Sequence, residues 1–155
     1  MHFSRPRQTV LFQKLIDRRP EEATLRAFAG LPWQAQGNVG KAMAHYQDAF
    51  DASPEALKNI MRSFLALGLE GLGRNTEALA EYQIILNTGK ESVADLIGYA
   101  LTLIALGRPE EADQAFRKAA MRPDAFFLRL QINMRCWDRD RLKEHYRRLG
   151  FPDVA

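Results

Sequence analysis

Between residues 24 and 119, apolar side chains recur three and four positions apart, in runs separated by glycine or proline. That spacing matches the turn of an α-helix, and no stretch shows the alternation of a half-buried strand. Around residue 100, Leu96, Tyr99, Ala100 and Leu103 form one helical line, and Ala94, Ile97, Leu101 and Ile104 form a second. A helix apolar along two lines is expected to be buried on more than one side. Above this local order lies a longer one. Gly37, Ala42 and Tyr46 return as Gly73, Ala78 and Tyr82, and again as Gly107, Ala112 and Phe116, at intervals of 36 residues (37 to 73) and 34 (73 to 107). Self-similarity at this period predicts a stacked array of helix pairs. The glycine of each set allows a sharp turn between helices. The alanine lets two backbones approach while the aromatic fills the space beside them.

The phase continues at both ends. Phe12, Leu15 and Pro20 keep the gaps of Tyr46, Ala49 and Pro54, predicting a helix over residues 8–18. Leu130, Met134 and Trp137, followed by Leu142, Tyr146 and Leu149, predict a final shortened pair. The expected architecture is all-α, an α-solenoid of antiparallel helix hairpins with nine helices. It forms one domain over residues 1–155: a partial repeat at 8–22, repeats at 23–56, 59–92 and 93–126, and a degenerate hairpin at 127–150. Ser53-Pro54-Glu55 reads as a cap, a first-turn proline and an acid at a helix start.

The unit resembles the tetratricopeptide repeat (TPR) family. The first repeat matches through Ala29, Gly30, Trp33, Gly37, Ala42, Tyr46, Ala49 and Pro54. Leu65, Ala66, Leu69, Gly73, Ala78, Tyr82 and Ile85 carry the second, with Lys90 at the proline position. Leu96, Tyr99, Ala100, Leu103, Gly107, Ala112, Phe116 and Ala119 carry the third, with Pro123 one residue early. Arg26 and Arg62 stand where the family has a large first-helix residue. The resemblance implies a superhelix in which first helices line a concave groove and second helices form the outer wall. On that arrangement the groove positions are Thr24, Ala27, Leu31 and Gln34, then Ile60, Ser63, Leu67 and Glu70 with Phe64 at the edge, then Ala94, Ile97, Leu101 and Ile104. The expected partner-binding set is Leu31, Ile60, Phe64, Leu67, Ile97, Leu101 and Ile104. Family members that grip a C-terminal carboxylate use lysine, arginine and asparagine there, so no carboxylate clamp is expected. An apolar lining of this kind exposes roughly 300–600 Å², and burying each large side chain is worth about 1.5–3 kcal/mol. Its expected occupant is an apolar or helical segment of another protein, a second copy of the chain, or the amphipathic stretch Val10, Leu11, Leu15 and Ile16.

Composition narrows the function. With 155 residues, 46% of them hydrophobic and 26% charged, the chain has the make-up of a soluble domain. The apolar run from Leu96 to Leu106 is shorter than the roughly 20 residues a bilayer span needs, and the first residues lack a signal-peptide core, so a cytoplasmic location is expected. The single cysteine, Cys136, excludes an internal disulfide and reads as a small packed residue beside Trp137. His2, His45 and His145 form no metal-ligand spacing, and the two that precede Tyr46 and Tyr146 are expected at the surface. Gly37-Asn-Val-Gly40-Lys41 lacks the spacing of a phosphate loop, and Glu21, Glu22, Glu77, Glu110 and Glu111 sit at helix starts, where they complement the helix dipole. No catalytic residue, cofactor or metal is expected.

The net charge of +3 is uneven. Residues 1–20 hold five basic and one acidic side chains (+4), residues 21–116 seven and thirteen (−6), and residues 117–155 ten and five (+5). A nucleic-acid reading would use Arg135, Arg139, Arg141, Lys143, Arg147 and Arg148 on phosphates. Asp138, Asp140 and Glu144 interleave with them, which favours a solvated mixed-charge helix. The leading expectation is a non-catalytic interaction module: adaptor, assembly factor or chaperone. Secretion chaperones of this fold are similar in size but tend to be acidic, whereas the pI here is about 9.2. The alternatives are a regulatory module of a bacterial signalling system, because the ending Leu142 to Asp153, with its Leu-Gly-Phe-Pro-Asp tail, resembles the ends of arrays attached to bacterial nucleotide cyclases, and a basic-ended nucleic-acid or membrane-surface binder.

Overall fold

One turn geometry recurs and sets the helix boundaries. Gly37 N–H donates to the Gln34 carbonyl and Asn38 N–H to the Trp33 carbonyl, both at 2.9 Å. The same pair of bonds closes the chain at Gly73–Arg74, Gly107–Arg108 and Gly150–Phe151. The glycines stand at φ of 79°, 71°, 74° and 88°, where an L side chain is strained, so the residue type and the end of the helix go together.

The computed structural model describes residues 22–123 and 139–154, with isolated positions 10, 11, 13, 14, 128 and 132. Among them are seven helices: α1 (Ala23–Ala35), α2 (Val39–Ala52), α3 (Lys58–Gly71), α4 (Asn75–Asn87), α5 (Val93–Ala105), α6 (Pro109–Ala120) and α7 (Arg139–Arg148). There are also short 3-10 turns at Glu55–Leu57 and Pro152–Val154. No strand occurs among the described residues. Val10, Leu11, Gln13 and Lys14 are helical, as are the buried Leu128 and Ile132. Phe12, Leu15, Pro20, Leu130, Met134, Cys136 and Trp137 lie outside the described residues.

The starts of α2, α4, α5 and α6 each carry a contact between residues three apart. Asn38 Oδ1 accepts from Lys41 N–H at 3.3 Å. Arg74 and Arg108 each hold a glutamate in a two-pronged ion pair, Glu77 at 2.7 and 2.6 Å and Glu111 at 2.6 Å on both prongs. Ser92 and Asp95 form a reciprocal capping box at the start of α5. The expected cap at Ser53 is corrected: its hydroxyl donates to the Phe50 carbonyl at 2.9 Å, so it closes α2 and does not open the next helix.

The chain divides into two compact units, residues 1–81 and 82–155. In the first, α1 pairs with α2 and α3 packs against both. Ala42, Tyr46, Ala49 and Met61 are fully buried there. Arg62 of α3 reaches Glu81 of α4 at 2.5 Å, and Arg62 and Lys58 flank the Phe50 ring at 5.2 and 4.4 Å. In the second, α5 pairs with α6 around Leu96, Ala100, Leu103, Ala112 and Phe116, all without exposed surface. Glu91, 5% exposed, closes the same unit by pairing with Lys118 at 2.7 Å, while Arg122 donates to its backbone carbonyl at 2.9 Å. Burial pushes this carboxyl up, but the Lys118 bond, its own backbone N–H and both cations hold it below the usual range.

Candidate partner-binding surface

The first unit presents an apolar ledge along α1 and α3. On α1, Thr24, Phe28 and Leu31 fall on one helical line, and on α3, Ile60, Phe64 and Leu67 do. Phe28 and Phe64 join the two lines edge to face, with ring centroids 5.8 Å apart and planes at 79°. Phe28 is 40% exposed and Ile60 51%, whereas Leu31, Phe64 and Leu67 are half-buried. Pro32 lies inside α1 and lacks the amide that would bond to the Phe28 carbonyl.

Beneath the ledge sits Tyr46 of α2, fully buried, its ring 5.5 Å from that of Phe64. Two glycines make room for it. A Cβ at Gly30 of α1 would lie 2.4 Å from Tyr46 Cε1, and one at Gly68 of α3 would lie 2.9 Å from Tyr46 Cδ2. The hydroxyl donates to Gln34 Oε1 at 2.8 Å, and Gln34 Nε2 donates to the Leu67 carbonyl at 3.1 Å. Gln34 thus fastens α1 to both α2 and α3.

Of the seven residues expected to bind a partner, Leu31, Ile60, Phe64 and Leu67 come together here, with Phe28 added to them. Ile104 is half-buried in the second unit. Ile97 and Leu101 have 0% and 6% of their surface exposed, so in this structure neither presents a free face. Gln34 and Ala27, placed in the groove by periodicity, are buried: one as the acceptor for Tyr46, the other packed with Ala23, Ala49 and Met61. Phe28 escaped the sequence reading because the repeat phase put Ala27 in the groove; its aromatic bulk one residue on was the available signal.

Titratable groups with shifted behaviour do not converge on the ledge. His45 on α2 is half-buried, and burial, opposed by Asp48 and aided by Arg26, lowers its pKa from 6.5. His145, expected at the surface, is buried instead, because its ring packs on Phe116 and its Nε2 lies 2.9 Å from Asp113 Oδ1. Among the described residues no group of three or more His, Cys, Asp or Glu is placed to hold a metal ion, and no helix is long and apolar enough to cross a membrane.

No protein-family model matches the chain, and no curated protein matches it in sequence. Solved structures do. One titled "MamA MSR-1 C2" aligns at a TM-score of 0.53 with 23% identity, over 72% of this chain and 63% of that one. "Crystal structure of MamA" aligns at 0.60 with 12% identity, over 94% of this chain and 79% of that one. The chain therefore spans less than two thirds of the first. These likenesses show the fold: all-helical, a TPR-like α-solenoid.

Proposed function

We propose that the chain is a non-catalytic protein-interaction module that docks a short apolar or helical segment of a partner on the α1–α3 ledge. The observation that carries this reading is the Phe28–Phe64–Ile60 cluster: two large apolar side chains left half in water on a base that Tyr46, Gly30, Gly68 and Gln34 hold rigid. A preformed apolar surface loses little conformational freedom on binding, and paired helices with side chains one turn apart accept an amphipathic helix. Five side chains, three already half-buried, fall short of the ~800 Å² that each partner gives a stable interface, which favours a segment over a folded domain. The TPR-like fold supports the same class of function. The ledge favours an adaptor or assembly role, with Leu31 and Leu67 as the floor and Ile104 as a further candidate contact; Ile97 and Leu101 would take part only if their cover moved.

Burying the exposed halves of Phe28 and Ile60 is worth about 1 kcal/mol each, half of the full burial value. A Phe28→Ser/Ile60→Ser protein should therefore bind about thirtyfold more weakly. The probe is a panel of synthetic amphipathic peptides with leucine and phenylalanine one helical turn apart, read by fluorescence anisotropy, with circular dichroism as a check on folding. Failure of every peptide to bind, or equal binding by a folded double variant, would overturn the reading.

A further inference from the structure

The end of the second unit is fastened by a histidine set between a carboxylate and a guanidinium. His145 of α7 lies with its ring 4.4 Å from that of Phe116 on α6, and 11% of its side chain is exposed. Its Nδ1 is 2.8 Å from Arg148 Nη2, and its Nε2 is 2.9 Å from Asp113 Oδ1. A guanidinium has only donors and keeps its charge in proteins, so Nδ1 must be the acceptor and carry no proton. The single ring proton then sits on Nε2 and is donated to Asp113. Both contacts are satisfied by the neutral ring. Protonation would turn Nδ1 into a donor facing a donor and set two cations 2.8 Å apart.

We propose that His145 is an acid-released latch: as a neutral ring it holds α7 against α6 by bridging Asp113 and Arg148, and its protonation frees α7. The remaining contacts suit release. Leu142 and Tyr146 of α7 are fully buried, but the Tyr146 hydroxyl has no hydrogen-bond partner among the described residues. Its ring is held by Phe116 and Phe151 at 5.4 and 6.5 Å. Beyond the latch, Arg117 Nη1 of α6 donates to the carbonyl of Leu149, just after α7, at 3.3 Å. Among the described residues, the charged groups facing His145 are Asp113 from α6 and Arg148 and Arg141 from its own helix. Burial lowers its pKa from 6.5, Asp113 opposes this, and the two arginines add to it. A folded value below the unfolded one means stability that is fully present above 6.5 and is lost as pH falls through the folded value. Release would uncover Phe116, Leu142 and Tyr146 together, an aromatic surface available only in acid.

Amide hydrogen exchange on the whole chain, corrected for intrinsic rates, tests this between about pH 7.5 and pH 5, the range in which histidine titrates. The expected result is loss of protection across α7 with the midpoint of the His145 ring titration seen by NMR, while α1–α3 keep theirs. His145→Gln should make α7 protection independent of pH. Arg148→Met removes the facing cation, so the ring midpoint should move up and α7 should stay docked to lower pH. Constant protection of α7 in the parent chain, the same acid loss in His145→Gln, or an unmoved ring midpoint in Arg148→Met would each overturn the latch.

Discussion

Gly30→Ala should destabilise the chain, although alanine is the better helix former. In a helix interior this exchange alone gains about 0.5–1 kcal/mol through reduced freedom of the unfolded backbone. Against it stands the Tyr46 ring. The new methyl would lie 2.4 and 2.9 Å from two ring carbons and 3.0 Å from the Ala42 carbonyl oxygen. The ring has no room to retreat, since Gly68 approaches its other edge and its hydroxyl is tied to Gln34. Overpacking of a fixed core costs about 1–3 kcal/mol, and with both edges blocked the upper end applies. The expected net loss is therefore about 2 kcal/mol, the overpacking less the helix gain. Gly40→Ala, in α2 with nothing within 4 Å of its added Cβ, supplies the opposite sign: a gain of up to ~1 kcal/mol. Urea unfolding followed by circular dichroism reads both as shifts of the midpoint at unchanged slope. If Gly30→Ala proved as stable as the parent while Gly40→Ala gained, the clamp around Tyr46 would be refuted.

Leu101→Glu should cost upwards of about 5 kcal/mol, from roughly 1.5–3 kcal/mol of lost burial and about 3.7 kcal/mol to keep the carboxyl neutral at pH 7. Ile60→Glu, at a half-exposed site, should leave the unfolding free energy within about 1 kcal/mol of the parent; equal loss in the two would mean the difference in burial is wrong. Ala112→Leu should lower stability by about 1–3 kcal/mol through overpacking between α5 and α6, and a thermal melt unchanged within error would show that this contact has space to spare.

The parts of the fold that depend on backbone geometry could be read from the chain. Gly37, Gly73 and Gly107 all stand at positive φ, Ala42, Ala78 and Ala112 are fully buried, and Tyr46, Tyr82 and Phe116 have at most 1% of their surface exposed. A repeat enforces such positions because each unit must solve the same turn and the same close approach. What periodicity could not separate was one apolar face from another. α5 is apolar all round, and which of its sides meets water depends on neighbours, not on its own spacing; Ile97 and Leu101 are buried for that reason. Polar residues were misjudged similarly. Gln34, expected in the groove, and His145, expected at the surface, are each buried with a fixed partner, Tyr46 in one case and Asp113 in the other. Only a third dimension supplies those partners. The clasp of Arg74 on Glu77 and of Arg108 on Glu111 was visible as spacing, but the helix dipole alone seemed sufficient for the acids.

Those clasps, with Asn38 before α2 and Ser92–Asp95 before α5, bear on the order in which the chain folds. Each helix start they mark is fixed by a residue three positions away, and each turn by bonds spanning no more than five. None of these signals waits for a distant strand or a closing end. Topologies dominated by such short-range contacts fold fast, because little loop entropy is lost before contacts form. A chain leaving the ribosome from its N-terminus can therefore set each hairpin as it emerges. Its neighbours are then needed to bury that hairpin, and not to instruct it.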